Sequence, residues 1–136
     1  MLRPQDTATR ERRSLDGLWR FRLDPEGVGR DESWFAGPLA DAVEVPVPAS
    51  YNDLFADAAV RDHVGDVWYQ TTVRVPRGWA GQRVVLRFDA ATHAASVWVG
   101  EQHVVSHVGG YTPFEADVTA LVTPGEEIRV TAAVDN

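Results

Sequence analysis

Between Val67 and Val75 the chain alternates strictly, with Val67, Tyr69, Thr71, Val73 and Val75 interleaved with Trp68, Gln70, Thr72 and Arg74. A period of two sends successive side chains to opposite faces of an extended backbone, so this stretch is predicted to be a strand. The same pattern sets Trp19, Phe21 and Leu23 against Leu18, Arg20 and Arg22, with Asp16-Gly17 opening the strand and Asp24-Pro25-Glu26-Gly27 closing it. Val43 to Val47 is predicted to be extended because the residues before Pro46 and Pro48 are pushed out of the helical region, and a proline places that strand at a sheet edge. β-Branched runs at 83–88, 95–99, 102–107 and 127–134 add further strands, punctuated by turns at Gly100-Glu101, Gly109-Gly110 and Pro124-Gly125. One short helix is predicted to carry Trp34 and Phe35, capped by Asp31 or Ser33 and ended by Gly37-Pro38. About eight short strands with some long connections predict an all-β, two-sheet jelly-roll sandwich, with residues 1–136 forming a single domain. Its predicted core contains Trp19, Phe21, Tyr69, Val73, Leu86, Phe88, Trp98, Val99 and Ile128.

Composition narrows the function classes. The absence of cysteine removes disulfides, thiolate metal sites and cysteine nucleophiles together. A net charge of -7, with basic residues that are all arginine and scattered, argues against a nucleic-acid partner, which needs a clustered basic face. No apolar run approaches the roughly 20 residues of a membrane helix, so no membrane association is expected. Met1 to Arg13 is polar and lacks the apolar stretch of a secretory signal, so the expected location is cytoplasmic.

The residue types that carry chemistry are dispersed. On a strand His103 and His107 would share a face about 13 Å apart, given a rise near 3.3 Å, too far for one metal ion. His93 lies in a polar break between strands. Ser50 and Ser96 lack the glycine-flanked elbow of a hydrolase nucleophile. Glu126-Glu127 reads as a solvated turn, while Glu115 and Asp117 share one face of an extended segment and are expected to tie down a corner. No catalytic residue, metal ligand or cofactor site is assigned. Trp19, Trp68 and Trp98 are expected to be core residues; Trp34 and Trp79 lie near turns and are the tryptophans expected to be more exposed.

Several motifs in register are more specific than any of these. L-D-G-L-W-R-F at 15–21, V-P-A-S-Y-N-D at 47–53, F-A-D at 55–57 and the block from Gly65 to Val122, with G-D-V-W-Y-Q and H-V-G-G-Y-T-P-F-E-A-D-V-T, stand in one order. With these the chain resembles the amino-terminal sugar-binding domain of β-glucuronidases in glycoside hydrolase family 2. The resemblance implies a galactose-binding-domain-like jelly roll truncated near its carboxyl-terminal end, followed in the parent enzyme by an immunoglobulin-like domain and a catalytic barrel.

It also implies that both catalytic glutamates lie on that barrel; no Asn-Glu pair, the family's setting for the acid/base, occurs here. The expected function is thus that of a non-catalytic domain of a retaining β-glucuronidase, inactive alone, with no cofactor. An autonomous carbohydrate-binding or interaction module, or a β-galactosidase parent, is the alternative. Tyr51 to Asp66 is expected either to face the barrel or to cap its own sandwich, with Arg61, Asp62 and His63 the candidate substrate-proximal residues. Expected partners are the rest of the parent enzyme, a weakly held carbohydrate, and a second copy through an exposed edge or apolar face. Two departures from the family pattern, Gly100-Glu101 and Ala94-Ala95, fall in turn regions.

Overall fold

The computed structural model describes residues 11–47, 66–89, 94–108 and 113–135. These form eight strands: β1 (Gly17–Asp24), β2 (Val43–Val47), β3 (Asp66–Arg74), β4 (Val85–Phe88), β5 (Ala94–Val99), β6 (Gln102–Val108), β7 (Phe114–Asp117) and β8 (Glu127–Asp135). Three single-turn 3₁₀ helices, at Trp34–Ala36, Arg77–Trp79 and Thr119–Leu121, join them. The all-β sandwich expected from the alternation is what forms. A six-stranded antiparallel sheet runs in the order β2-β1-β3-β8-β5-β6, and β4 pairs with β7 in a second sheet of two strands. β2, with Pro46, is an edge strand as predicted.

Register assigns every residue of the large sheet to a face, because partners directly opposite point the same way. The inner face carries Trp19 and Phe21 on β1, Tyr69 and Val73 on β3, Ile128, Val130 and Ala132 on β8, and Ala95 and Val97 on β5. Leu86, Phe88 and Phe114 of the small sheet pack on this face, the two phenylalanine rings stacked at 5.1 Å. A second apolar cluster, Val75, Val84, Val99, Val118 and Val122, continues the core toward the other end, with Trp79 against it. Eight of the nine predicted core residues belong to these clusters or to the adjoining Phe21 cluster; the ninth, Trp98, is buried on the opposite face.

That outer face is also covered, which alternation alone does not announce. Trp68, Trp98 and Ala133 lie there beneath Trp34, Phe35, Leu39 and Ala42 from the connection between β1 and β2. Trp68 is fully buried, and it stacks on Trp98 at 5.2 Å, which stacks in turn on Phe35 at 4.7 Å. Trp34, expected to be more exposed, is half-buried: it leans on Trp68 at 5.6 Å and the Arg22 guanidinium lies 3.7 Å over its ring.

Directional hydrogen bonds fix this connection. Asp24, 2% exposed, accepts from the backbone N–H groups of Val28 and Gly29, both at 2.9 Å, and from the Trp68 indole at 3.1 Å. Gln70 accepts from the Leu39 N–H at 2.8 Å and donates to the Gly37 carbonyl and the Thr131 hydroxyl, both at 3.0 Å. Gly29 is needed for the close approach, since a Cβ there would fall 2.5 Å from the Trp68 ring. The expected cap is corrected: Ser33 occupies the cap position but sits at φ 55 in the left-handed region and makes no side-chain capping bond. The turn is held by backbone bonds instead, Trp34 N–H to Gly29 O and Glu32 N–H to Val28 O at 2.9 Å.

Candidate functional site

One row crosses five strands at a single end of the large sheet. Asp24 pairs with Asp66, Asp66 with Asp135, Asp135 with Ala94, and Ala94 with Val108. Three aspartates directly opposite one another on the outer face repel, and the Arg30 guanidinium, bonded to Asp66, offsets that repulsion. Asp24 illustrates the electrostatics. Burial pushes its carboxyl up, but N–H donors from Gly29, Val28, Trp68 and Gly27 outweigh it and hold the group below the usual aspartate value. A carboxylate whose lone pairs are already filled by the protein's own donors is a lock for the connection, not an acid or base toward a substrate.

The segments before Asp66, before Ala94 and after Val108 all join the sheet at this row. Arg61, Asp62 and His63, the residues nominated from the sequence, lie outside the described residues, as do Ser50, His93 and the Gly109-Gly110 turn. The described end of the excursion from Tyr51 is Asp66, which opens β3.

The two remaining histidines are separated by a β-bulge. Val97 pairs with Val105 and Trp98 with His103, so Val104 is an extra residue in β6 and the alternation slips there. The expectation that His103 and His107 share a face is therefore corrected. His107, opposite Ala95, turns inward and stacks on Phe114 at 4.6 Å; His103 turns outward, edge-on to Trp98 at 5.6 Å. His103 Nε2 lies 2.8 Å from Ser106 Oγ, Ser106 Oγ lies 3.1 Å from Ser96 Oγ, and Arg30 Nη2 donates to Ser96 at 3.3 Å. Among the described residues no group of three or more His, Asp or Glu is placed to hold a metal ion.

At the opposite end of the domain a shallow hollow of about 440 Å³ is lined by Trp79, Gln82, Arg83, Asp117, Thr119 and Val122, among others. The Trp79 indole N–H is buried without a hydrogen-bond partner, and its half-buried ring packs on the valine cluster. Asp117 accepts from the Thr119 hydroxyl at 2.6 Å, its backbone N–H at 3.0 Å and the Arg83 guanidinium at 3.0 Å. In that order these donors lower its carboxyl to about 2. The corner function expected of Asp117 is observed. Glu115, Glu126 and Glu127 are exposed, with Glu115 3.7 Å from Arg87 and Glu127 3.3 Å from Arg74. Among the described residues each carboxylate named here is engaged as a lock or a surface ion pair, or faces solvent.

Sequence reasoning missed the Asp24 and Gln70 contacts, because their partners are backbone groups of a segment without periodicity. A usable signal was Asp24 itself, an acidic residue that ends β1 just ahead of a Pro-Glu-Gly turn.

Known proteins match this arrangement over its whole length. The family model described as "Glycosyl hydrolases family 2, sugar binding domain" matches residues 12–136. The chain is 54% identical over 136 residues to a β-glucuronidase of Paenibacillus borealis and 42% identical over 147 residues to that of Mus musculus, covering all of this chain and 23% of each relative. A β-glucuronidase structure from an uncultured Clostridium species superposes with a TM-score of 0.95 at 46% identity, covering 100% of this chain and 24% of the other. One from Ruminococcus gnavus gives 0.95 at 37% identity, covering 99% and 22%. The chain thus spans about a quarter of the length of these relatives. With a family model that matches residues 12–136 and relatives of up to 54% identity over its whole length, the chain belongs to the sugar-binding domain family of the family 2 glycosyl hydrolases.

Proposed function

We propose that the chain serves as a non-catalytic sugar-binding-type domain of a β-glucuronidase, a cytoplasmic hydrolase of O-glycosyl bonds in carbohydrate metabolism. The observation that carries this reading is the 54% identity running through the whole chain to a β-glucuronidase of which it covers 23%. A β-galactosidase parent is not favoured, since the relatives and solved structures named above are β-glucuronidases. Retaining hydrolysis needs one carboxyl as acid/base and one as nucleophile, about 5 to 5.5 Å apart across the scissile bond. The engaged carboxylates described above support a supporting role instead.

The partners in this reading are the immunoglobulin-like and barrel domains of the parent enzyme. Arg61, Asp62 and His63 are proposed to approach the substrate entrance: they precede Asp66 by three to five residues, at the sheet end where two further connecting segments also join. Carbohydrate contact by this domain alone is proposed to be weak, because one wall of a cleft buries little of a ligand. The test is direct. The purified chain is incubated with an aryl β-glucuronide, and no turnover is expected; hydrolysis that persists through repurification and vanishes when one of the chain's own acidic residues is replaced would overturn the proposal. Tight, saturable sugar binding would favour an autonomous binding module in its place.

A further inference from the structure

We propose that the hollow beside Trp79 is a carbohydrate subsite for a uronate, a sugar ring that bears a carboxylate. The inference rests on the sugar-binding-type reading above for the kind of ligand and on the hollow for its place, which is the opposite end of the domain from Asp66. The hollow has two kinds of wall. Val84, Val122, Pro124 and the half-buried Trp79 make an apolar side, suited to the face of a ring. The polar side has open donors and no open carboxylate. Of the two Asp117 oxygens, one is filled by Thr119 and the other by Arg83 Nε. Among the described residues Arg83 uses only that nitrogen, so the edge formed by its two Nη groups stays open, and two parallel N–H groups there match the two oxygens of a carboxylate. Gln82, exposed in the same wall, has an amide with no partner among the described residues and can meet hydroxyls as donor or acceptor.

The Trp79 indole is the independent observation. Trp19, Trp34 and Trp68 donate to Leu15, Glu32 and Asp24, whereas the Trp79 N–H, in the wall of the hollow, is buried with no acceptor. A buried donor without a partner marks a place where the chain's own atoms do not complete the bonding. Trp79, Arg83 and Gln82 together offer more open donors than acceptors. That balance suits an oxygen-rich anion and opposes a cation.

Titration of the chain with methyl β-glucuronide, methyl β-glucoside and acetate, followed by amide and indole NMR, tests this. The Trp79 indole resonance is identified as the one missing from W79F. The glucuronide is expected to move that resonance together with the Gln82 and Arg83 amides. The glucoside, a ring without the carboxylate, and acetate, a carboxylate without the ring, should each bind at least about fivefold more weakly. R83Q, a change at an exposed position, should weaken the glucuronide about tenfold with the dispersion of the spectrum intact, the weight of a charge-assisted bond. Q82A, which removes no bond within the described residues, should weaken it about threefold. Equal affinity for the glucuronide and either control, shifts confined to the Asp66 end of the sheet, or full affinity in R83Q overturns the proposal. Binding without turnover supports both this site and the functional reading; absence of binding and of turnover overturns this site alone.

Discussion

The two faces of the six-stranded sheet are covered by different means. On the inner face, apolar side chains of a second sheet meet apolar side chains of the first, and contact is interchangeable within limits of volume. On the outer face a single irregular connection lies over an aromatic stack, and it is held by Asp24, Gln70 and Arg30, whose bonds have one geometry each. The difference teaches that burial here is achieved once by area and once by direction. The inner face should tolerate isosteric apolar exchange. The outer face should not tolerate isosteric loss of a polar atom.

The largest expected effect lies in the stack. Trp68→Ala removes a fully buried indole that meets Trp34, Trp98 and Asp24, and should cost about 3 to 5 kcal/mol in denaturant unfolding. A loss below about 1 kcal/mol would mean that the connection does not cover this ring. Gln70→Met keeps the volume but strands the Leu39 N–H and the Gly37 carbonyl, with an expected cost of about 2 to 3 kcal/mol. Its inner-face control is the volume-conserving Ile128→Leu, which should stay within about 1.5 kcal/mol; if the order of these two is reversed, the proposed contrast between faces fails.

Acid sharpens the same contrast. The folded carboxyl of Asp24 lies below its ordinary value of 3.8, so the stabilisation it provides is complete above that value and is lost as pH falls through the lower folded one. Asp117 moves in the same sense, reaching about 2. The wild-type chain should therefore lose stability progressively below about pH 4, and Asp24→Asn should be less stable at pH 7 with a flatter slope across that interval. Unfolding curves measured from pH 7 to pH 2 decide it; an unchanged slope would remove Asp24 from the account. Smallest of all, Arg74→Ala breaks an exposed pair with Glu127 and should shift stability by no more than about 0.5 kcal/mol.

The same contrast explains what could be read from the sequence. Alternation from Trp19 to Leu23, from Val67 to Val75 and from Glu127 to Val134 names the strands, and turn residues at Gly100-Glu101 and Pro124-Gly125 separate them, because period two is a local consequence of burial on one side. β8 already departs from this: Val130, Thr131, Ala132 and Ala133 are all buried, since the connection covers the face that alternation would leave to solvent. The Ser33 cap and the shared histidine face were misread for related reasons. A left-handed φ and a one-residue bulge are decided by what the turn and the sheet must accommodate, and neither leaves a pattern in neighbouring residues. Of the candidate site, the family and the absence of an acid/base motif were readable, whereas the bonds of Asp24 to Trp68, Gln70 to Leu39 and Arg30 to Ser96 join residues 31 to 66 positions apart.

The strand order has a kinetic meaning. β8, the final strand in sequence among those described, lies between β3 and β5 and supplies Val130 and Ala132 to the inner cluster. Until residues 127–135 have left the ribosome, β1–β2–β3 and β5–β6 are two separate antiparallel ribbons, each with an open edge where β8 belongs. Such non-local pairing is slow, and its waiting edges are available to the wrong partner. Cooperative protection should thus appear all at once when residues 127–135 emerge, and a nascent chain stalled before Glu127 should be the form that needs a chaperone.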